Sequence, residues 1–483
     1  MAVDRSPVRQ VEQDSFEPAA HFYPRVLNAR MHPLVRSFLS LGNARIAQRY
    51  AHLHPEADPA AVREALGHCT KFMRWAGADL LHATDEEGRR RMVIVETNSC
   101  PSGQKSTPIM VEEQEQAGYQ RLIERSFLPL LQRRQTVKGE LAVLFDKNEV
   151  ETSGYAAAIA DATGEPVWLV PFFDDDGDPP ARFDNGILHV RSPEGSWRPI
   201  RAAFRYVTQR PWNRIPALTR THMLNPVLAC RAGGRNKMLA AKAYDFHNAA
   251  LQTHGLQIHV PETIWDVSLE EVPLWLARMG GFAVVKDPYS NAGQGVYTIT
   301  NAAELDAFMN SPKHRYDRFI VQSLVGNHRW SSKGSTGRLY QVGTVPNRKG
   351  NTYVADLRVM IGVGVDGFYP VALYARRARA PLSEALENTE ATSWDMLGTN
   401  LSVKSVSGGW GTEPERLIIV DERDFNTLGL GLDDLIEAYI QTVLAVTAID
   451  NMAKRLVTQR GRFRQRFFGL INSDPALAAE VCS

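Results

Sequence analysis

Cysteine is scarce. The 483 residues contain four (Cys69, Cys100, Cys230 and Cys482), with no paired spacing. This excludes a disulfide-stapled scaffold and fits a reducing, cytoplasmic setting. Charge of one sign is also lacking: 55 Lys+Arg against 54 Asp+Glu leave a formal net charge of +1. No global field draws the chain to nucleic acid or membrane, and the local basic runs are short. No apolar run approaches the roughly 18 to 20 residues of a membrane span. The opening MAVDRSPVRQVEQDSFEPAA has no apolar centre, so no signal peptide is expected. There is no repeat and no low-complexity tract. The 13 histidines show no metal-ligand spacing.

What is present is an ordinary globular composition, 44% hydrophobic and 23% charged. The length suggests two to four packed subdomains. Residues 1–35 read as irregular. Pro59 to Ala76 reads as a helix, with Val62, Leu66, Cys69 and Met73 at helical spacing, Asp58 as N-cap and Pro59 at the first position. GADLL and MVIVETN read as strands around a charged hairpin tip, TDEEGRRR. Glu112 to Leu128 reads as a helix. From Lys138, strands (LAVLF, PVWLVPF, RAAFRYV) alternate with a helix at Thr152 to Thr163, the pattern of a layered α/β domain. Asn236 to Leu251 is expected to be a helix. VPETIW, FAVVKDP and FIVQSLV follow as strands, then TYVADLRVMIGV and FYPVALYARRA. The last amphipathic helix spans Leu432 to Ala453.

The chemistry-bearing stretch is VIVETNSCPSG, Val93 to Gly103. Glu96 and Asn98 are two residues apart on one strand and so share a face. A carboxylate and an amide together make a hard oxygen site of the kind Mg²⁺ prefers. Asp79 lies on the preceding strand, close enough to join them. Further on, FAVVKDPYSNAGQGVYTI places Lys286 at the end of an apolar strand, followed by Ser290, Asn291, Gly293 and Gly295. Such a loop can turn its backbone N–H groups onto phosphates, although a glycine turn in a plain hairpin looks the same. Lys237 begins a helix upstream. Cys100 has no histidine placed beside it and reads as a small packing residue.

The order Lys237, helix, VPET, helix, strand, Lys286 and glycine loop resembles the ATP-grasp superfamily. There, two lysines of a lid clamp the phosphates of ATP. Gln322 then stands where the family has its adenine-side linker strand. Arg358 in VADLRVMIGV resembles the arginine beside the reacting phosphoryl group. Of the arginines in LYARRARAP, Arg377 is the candidate for the same task; alternation puts Arg377 and Arg379 on one face and Arg376 on the other. Asn400 in TNLSVK resembles a family asparagine facing the phosphates. The usual closing block of helix, aspartate strand, hairpin and Glu-x-Asn strand is missing after Asn400. It stands at the front instead, at 59–103.

That displacement is similar to the eukaryotic-type glutathione synthetases, with a circularly permuted topology. The resemblance implies an α/β ATP-grasp fold with an inserted α/β substrate domain. The parts are 1–137 (metal-strand part of the core), 138–235 (substrate domain), 236–325 (lid and nucleotide subdomain) and 326–483 (remainder of the core). It implies ATP and Mg²⁺ as cofactors, with Asp79, Glu96 and Asn98 as metal ligands. Lys237, Lys286, Ser290, Asn291, Gly293, Gly295, Gln322 and Asn400 would bind the nucleotide. Arg205 in RAAFRYV resembles the arginine that holds the carboxyl-bearing substrate. The expected activity is ATP-dependent ligation of a carboxylate to an amine through an acyl phosphate, with amino acids or small peptides as substrates. An ATP-grasp kinase and a non-catalytic nucleotide-binding protein stay open as alternatives. No nucleic acid or membrane partner is expected; a homodimer is left open.

Overall fold

The computed structural model describes residues 7–110, 114–132, 137–174, 176–208, 212–290, 293–335, 337–386, 390–404 and 410–482. It is a mixed α/β fold. Among these residues the strands form three large sheets and one two-stranded ribbon. No helix among them is long and apolar enough to cross a membrane.

The central sheet is antiparallel and gathers distant segments. Trp75–Asp85 pairs with Arg90–Asn98 on one edge and with Ala355–Gly364 and Leu339–Gln341 on the other. Gly367–Arg377 and Leu417–Ile419 complete it. Alternation decides its two faces. Ala78, Leu80, Met92, Ile94, Leu357, Val359, Leu373 and Ala375 join the main core with Leu435, Ile436, Tyr439 and Val443. These last four belong to the helix Leu432–Arg455, which is buried along most of its length. The opposite face carries Asp79, Glu96, Arg358, Tyr374 and Arg376 and borders a cavity.

A second sheet is mixed, with a parallel centre whose middle strand is buried on both faces, hence the unbroken apolar run LAVLF. Glu140–Phe145 lies between Val167–Pro171 and Trp197–Tyr206, parallel to both. The helix Glu149–Thr163 crosses between the first two. The strand order therefore reverses at Glu140–Phe145, and its carboxyl end opens toward the cavity at Lys147 and Asn148. A third, four-stranded antiparallel sheet has the order Thr263–Ser268, Arg318–Ser323, Ala283–Lys286, Val296–Ile299. Val272, Leu276 and Phe308, from the helices Val272–Arg278 and Ala302–Met309, seal one side of it in a core of its own.

Some local expectations are corrected. Residues 1–35 are not irregular where described: Pro18–His21, Pro24–Leu27 and Pro33–Ser40 are helical, each started by its proline. A further helix, Asn43–Leu53, follows. The helix at Pro59 has the expected cap, with Asp58 accepting from Ala60 N at 2.8 Å, but stops at Gly67. The chain must leave it there because Asp450 gathers the next segment, accepting from Lys71, Phe72 and Met73 N at 2.7–3.0 Å. Beyond residues 111–113, which are not described, helical structure starts at Ala117 and continues through a π-helical turn past Pro129 to Leu131.

Candidate active site

The hairpin Trp75–Asp85/Arg90–Asn98 sets the floor of the site. Its register puts Asp79 opposite Glu96 and Gly77 opposite Asn98. On the other side Arg358 lies opposite Asp79, and Tyr374 opposite Arg358. Directly opposed residues share a face, so four strands deliver their polar side chains to one row. Glycine is required at position 77, where an added Cβ would lie 2.7 Å from Pro101 Cβ.

Within the row, the aspartate is committed. Arg358 donates to both carboxylate oxygens of Asp79 at 2.5 Å, and Arg376 approaches it at 2.9 Å. Arg376 also holds Asp356, donating Nε to Oδ1 at 3.0 Å with a second bond alongside. Burial pushes the Asp79 pKa up, but the two guanidiniums outweigh it and keep the group well below the usual carboxylate range. The expectation of Asp79 as a metal ligand meets a different arrangement: three of its roughly four lone-pair sites face arginine, which makes it an anchor for Arg358 and Arg376. Two arginine assignments are corrected as well. Arg376, not Arg377, faces the cavity, because Tyr374 and Arg376 share the polar face while Arg377 lies over the Tyr353 ring at 4.8 Å. Arg205 is fully buried and donates to the backbone carbonyls of Asn225 and Val207, away from the cavity.

The two lysines approach from different elements. Lys237 opens the helix Lys237–Leu251, whose N-cap Asn236 accepts from Leu239 N. Its Nζ donates to Ser290 O at 2.9 Å and Ser290 Oγ at 3.0 Å, and lies 3.8 Å from Glu96 Oε2. Lys286 ends its strand and donates to Gln322 Oε1 at 2.7 Å and Val95 O at 3.3 Å. Burial, then the charge of Lys237, pushes the Lys286 pKa down to about 8. Glu96 is raised by burial, but Lys237 and Arg235 bring its pKa below the ordinary value.

Ser290 opens the glycine loop against Lys237. Gly293 and Gly295 have positive φ (+77° and +62°). A Cβ at Gly293 would come within 2.6 Å of Asn400 Nδ2, and one at Gly295 within 2.2 Å of Asp287 Oδ2. Asn291 lies outside the described residues.

Glu96, Asn98 and Asn400 line a polar cavity of about 690 Å³ together with Arg358 and Arg376. A smaller one of about 130 Å³ adjoins it, walled by Leu81, Val284, Val296, Leu324, Val325 and Leu397, with Lys286 and Glu96 also lining it. Among the described residues no three His, Cys, Asp or Glu gather as a metal site. Mg²⁺ beside a phosphate needs less, since one or two carboxylates complete a shell made mostly of water and phosphate oxygens. Glu96 and Asn98 fit that requirement. Both line the cavity, with Asn98 offering Oδ1 as the ligand oxygen, while its buried Nδ2, without a hydrogen-bond partner, is a donor suited to a phosphate oxygen.

Lys105, in the turn that the family resemblance turns toward a substrate, lines the cavity, and several further cavity residues went unread in the sequence: Lys147, Asn148, Arg235, Asp287 and Tyr374. The polar triplet Asp146–Lys147–Asn148, set between an apolar strand and a helix, was the available signal for two of them. Cys100 is fully buried, with its thiol pushed up to about 11 by burial, consistent with packing.

No protein-family model and no curated protein matches this sequence. Solved structures do match. A RimK domain ATP-grasp protein from Sphaerobacter thermophilus has 16% identity and a TM-score of 0.28, over 48% of this chain and 90% of that one. A glutathione synthetase-like effector from Globodera pallida has 10% identity and a TM-score of 0.37, over 72% and 86%. D-alanyl-alanine synthetase A from Vibrio cholerae has 11% identity and a TM-score of 0.29, over 49% and 88%.

Proposed function

We propose that this chain is an ATP-dependent carboxylate–amine ligase of the ATP-grasp type, working through an acyl phosphate on an amino acid or small peptide. One observation carries the reading. Glu96 lines both the polar cavity, with Arg358, and the apolar slot, with Lys286, while Lys237 comes from a separate helix to within 3.8 Å of Glu96 and shares a third small cavity with Lys286 and Glu96. An adenine base fits the slot, and the triphosphate passes from there between the lysines and the 290–295 loop. Gln322 holds Lys286 in position.

The acid's carboxylate oxygen attacks the γ-phosphorus and ADP leaves. An amine then adds to the acyl carbon, and inorganic phosphate departs with the former carboxylate oxygen. Arg358 stabilises negative charge on the transferring group, and Asp79 with Arg376 fixes the direction of its guanidinium. Glu96 and Asn98 would hold Mg²⁺, which when bound neutralises phosphate charge. We read 1–137 and 326–483 as the two halves of a permuted core, supported by the pairing of Trp75–Asp85 with Ala355–Gly364. Residues 138–235 are then the substrate domain and 236–325 the lid and nucleotide subdomain.

The test is ADP release from Mg-ATP across a panel of amino acids, with hydroxylamine as trap. A hydroxamate formed only with ATP and an acid is expected. A stable phosphorylated product that needs no amine would establish a kinase instead.

A further inference from the structure

The large cavity holds more positive charge than nucleotide binding uses. In its lining, Lys147 follows the strand Glu140–Phe145, at the point where the strand order of the mixed sheet reverses. Ligands of open α/β sheets bind in that crevice. Lys105 lines the same cavity from the turn after Asn98 and contacts Asn148, the residue next to Lys147. Its Nζ donates to Asn148 Oδ1 at 3.1 Å and lies 5.1 Å from the Tyr23 ring centre. Asn148 is fixed in turn by donating to Tyr206 OH at 3.1 Å.

The carboxylates nearby are committed elsewhere. Glu151 accepts from Ser102 Oγ at 2.9 Å and from Gly103 and Gln104 N. Asp146 accepts from Thr208 N at 2.7 Å, and Glu149 pairs with Arg9. Lys147 makes no hydrogen bond or ion pair among the described residues. Burial, then the charge of Arg235, pushes its pKa down to about 8. Asp146 offsets part of this charge but accepts from Thr208, so the Lys147 ammonium has no hydrogen-bond acceptor among the described residues, and an anionic ligand would supply one.

We propose that Lys105 and Lys147 clamp a second anionic group of the acid substrate, so that the reacting acid carries a carboxylate or phosphate besides the carboxylate activated near Glu96 and Arg358. This rests on the ligase reading and names its substrate class. Tyr23 and Asn148 line the cavity beside the two lysines, and Tyr206 holds Asn148 in place.

The experiment measures direct binding and ADP release for charged and neutral pairs: glutamate against glutamine, succinate against succinamate, and phosphoserine against serine. The wild type should bind the charged member of at least one pair about tenfold or more tightly. Lys147→Met should remove that preference, and Lys147→Arg should restore part of it. Equal binding of charged and neutral members, or a preference unchanged in both Lys147→Met and Lys105→Met, overturns the clamp. The two readings fail separately. If no acid releases ADP, the ligase assignment falls while charge-selective binding still decides the clamp. If neutral acids release ADP as well as charged ones, the ligase stands and the clamp falls.

Discussion

Replacing Asp79 by asparagine tests whether this residue anchors arginines or binds metal. The side chain keeps its shape and loses its charge. In the wild type it accepts two bonds from Arg358 and a third contact from Arg376, and it is 6% exposed. Asp79→Asn would leave two guanidiniums sharing the single charge of Asp356, with amide hydrogens facing arginine hydrogens. Removing one partner of a buried ion pair costs about 3–5 kcal/mol. The Arg358 side chain is 11% exposed at the cavity, so water relieves part of this and the lower end applies. For 483 residues unfolding as one unit the entropy is roughly 1 kcal/mol per kelvin. The expected fall in Tm at pH 7 is therefore about 3 °C.

The pH dependence carries a sign. The folded Asp79 pKa is depressed below the unfolded value of about 3.9. Its stabilisation is present above that value and is lost as pH falls through the folded pKa. The gap between wild type and Asp79→Asn should be flat from about pH 5 to 8 and shrink below about pH 4. Thermal unfolding followed by circular dichroism across that range measures it. A Tm within 1 °C of wild type at pH 7, together with lost Mg²⁺-dependent nucleotide binding, would refute the anchoring role and restore Asp79 as a ligand.

Glu96 should behave in the opposite way. Its polar contact is a 3.8 Å approach from Lys237, so Glu96→Ala should leave Tm nearly unchanged and reduce ADP release by about 100-fold or more. Lys286 supplies a pH limb: with a folded pKa of about 8 it loses charge above that pH, so KM for ATP should rise between pH 8 and 10, and Lys286→Arg should flatten the rise. Neutralising this buried lysine also relieves its desolvation, so the group itself makes folding more favourable, not less, over the same interval. Gly295→Ala, which drives a Cβ against Asp287 at positive φ, should raise KM for ATP with a smaller loss of Tm; unchanged nucleotide binding would mean the loop does not contact phosphate.

Much of the fold was legible because period and punctuation are local. The apolar alternation of VADLRVMIGV and FYPVALYARRA and the cap at Asp58 could be read directly. So could the adjacency of the strands bearing Asp79 and Glu96, since a short charged tip leaves a hairpin little choice. The choice among Arg376, Arg377 and Arg379 was not legible, because alternation separates faces without saying which face is polar. The burial of Arg205 was hidden for a related reason. A strand arginine meets solvent or interior according to what packs on it, here the segment at Asn225.

The sequence by itself determined which residues could do chemistry and which of them share a strand face, because both follow from side-chain type and the two-residue repeat. Tertiary structure alone decided which charges meet. Asp79 and Arg358 are 279 positions apart, and only the pairing of Trp75–Asp85 with Ala355–Gly364 brings them together. That contact, worth little in water and much in a buried row, turned an expected metal ligand into an arginine anchor. The reversal of strand order at Glu140–Phe145 likewise placed Lys147 in the cavity, a position the local triplet Asp146–Lys147–Asn148 could hint at but not locate.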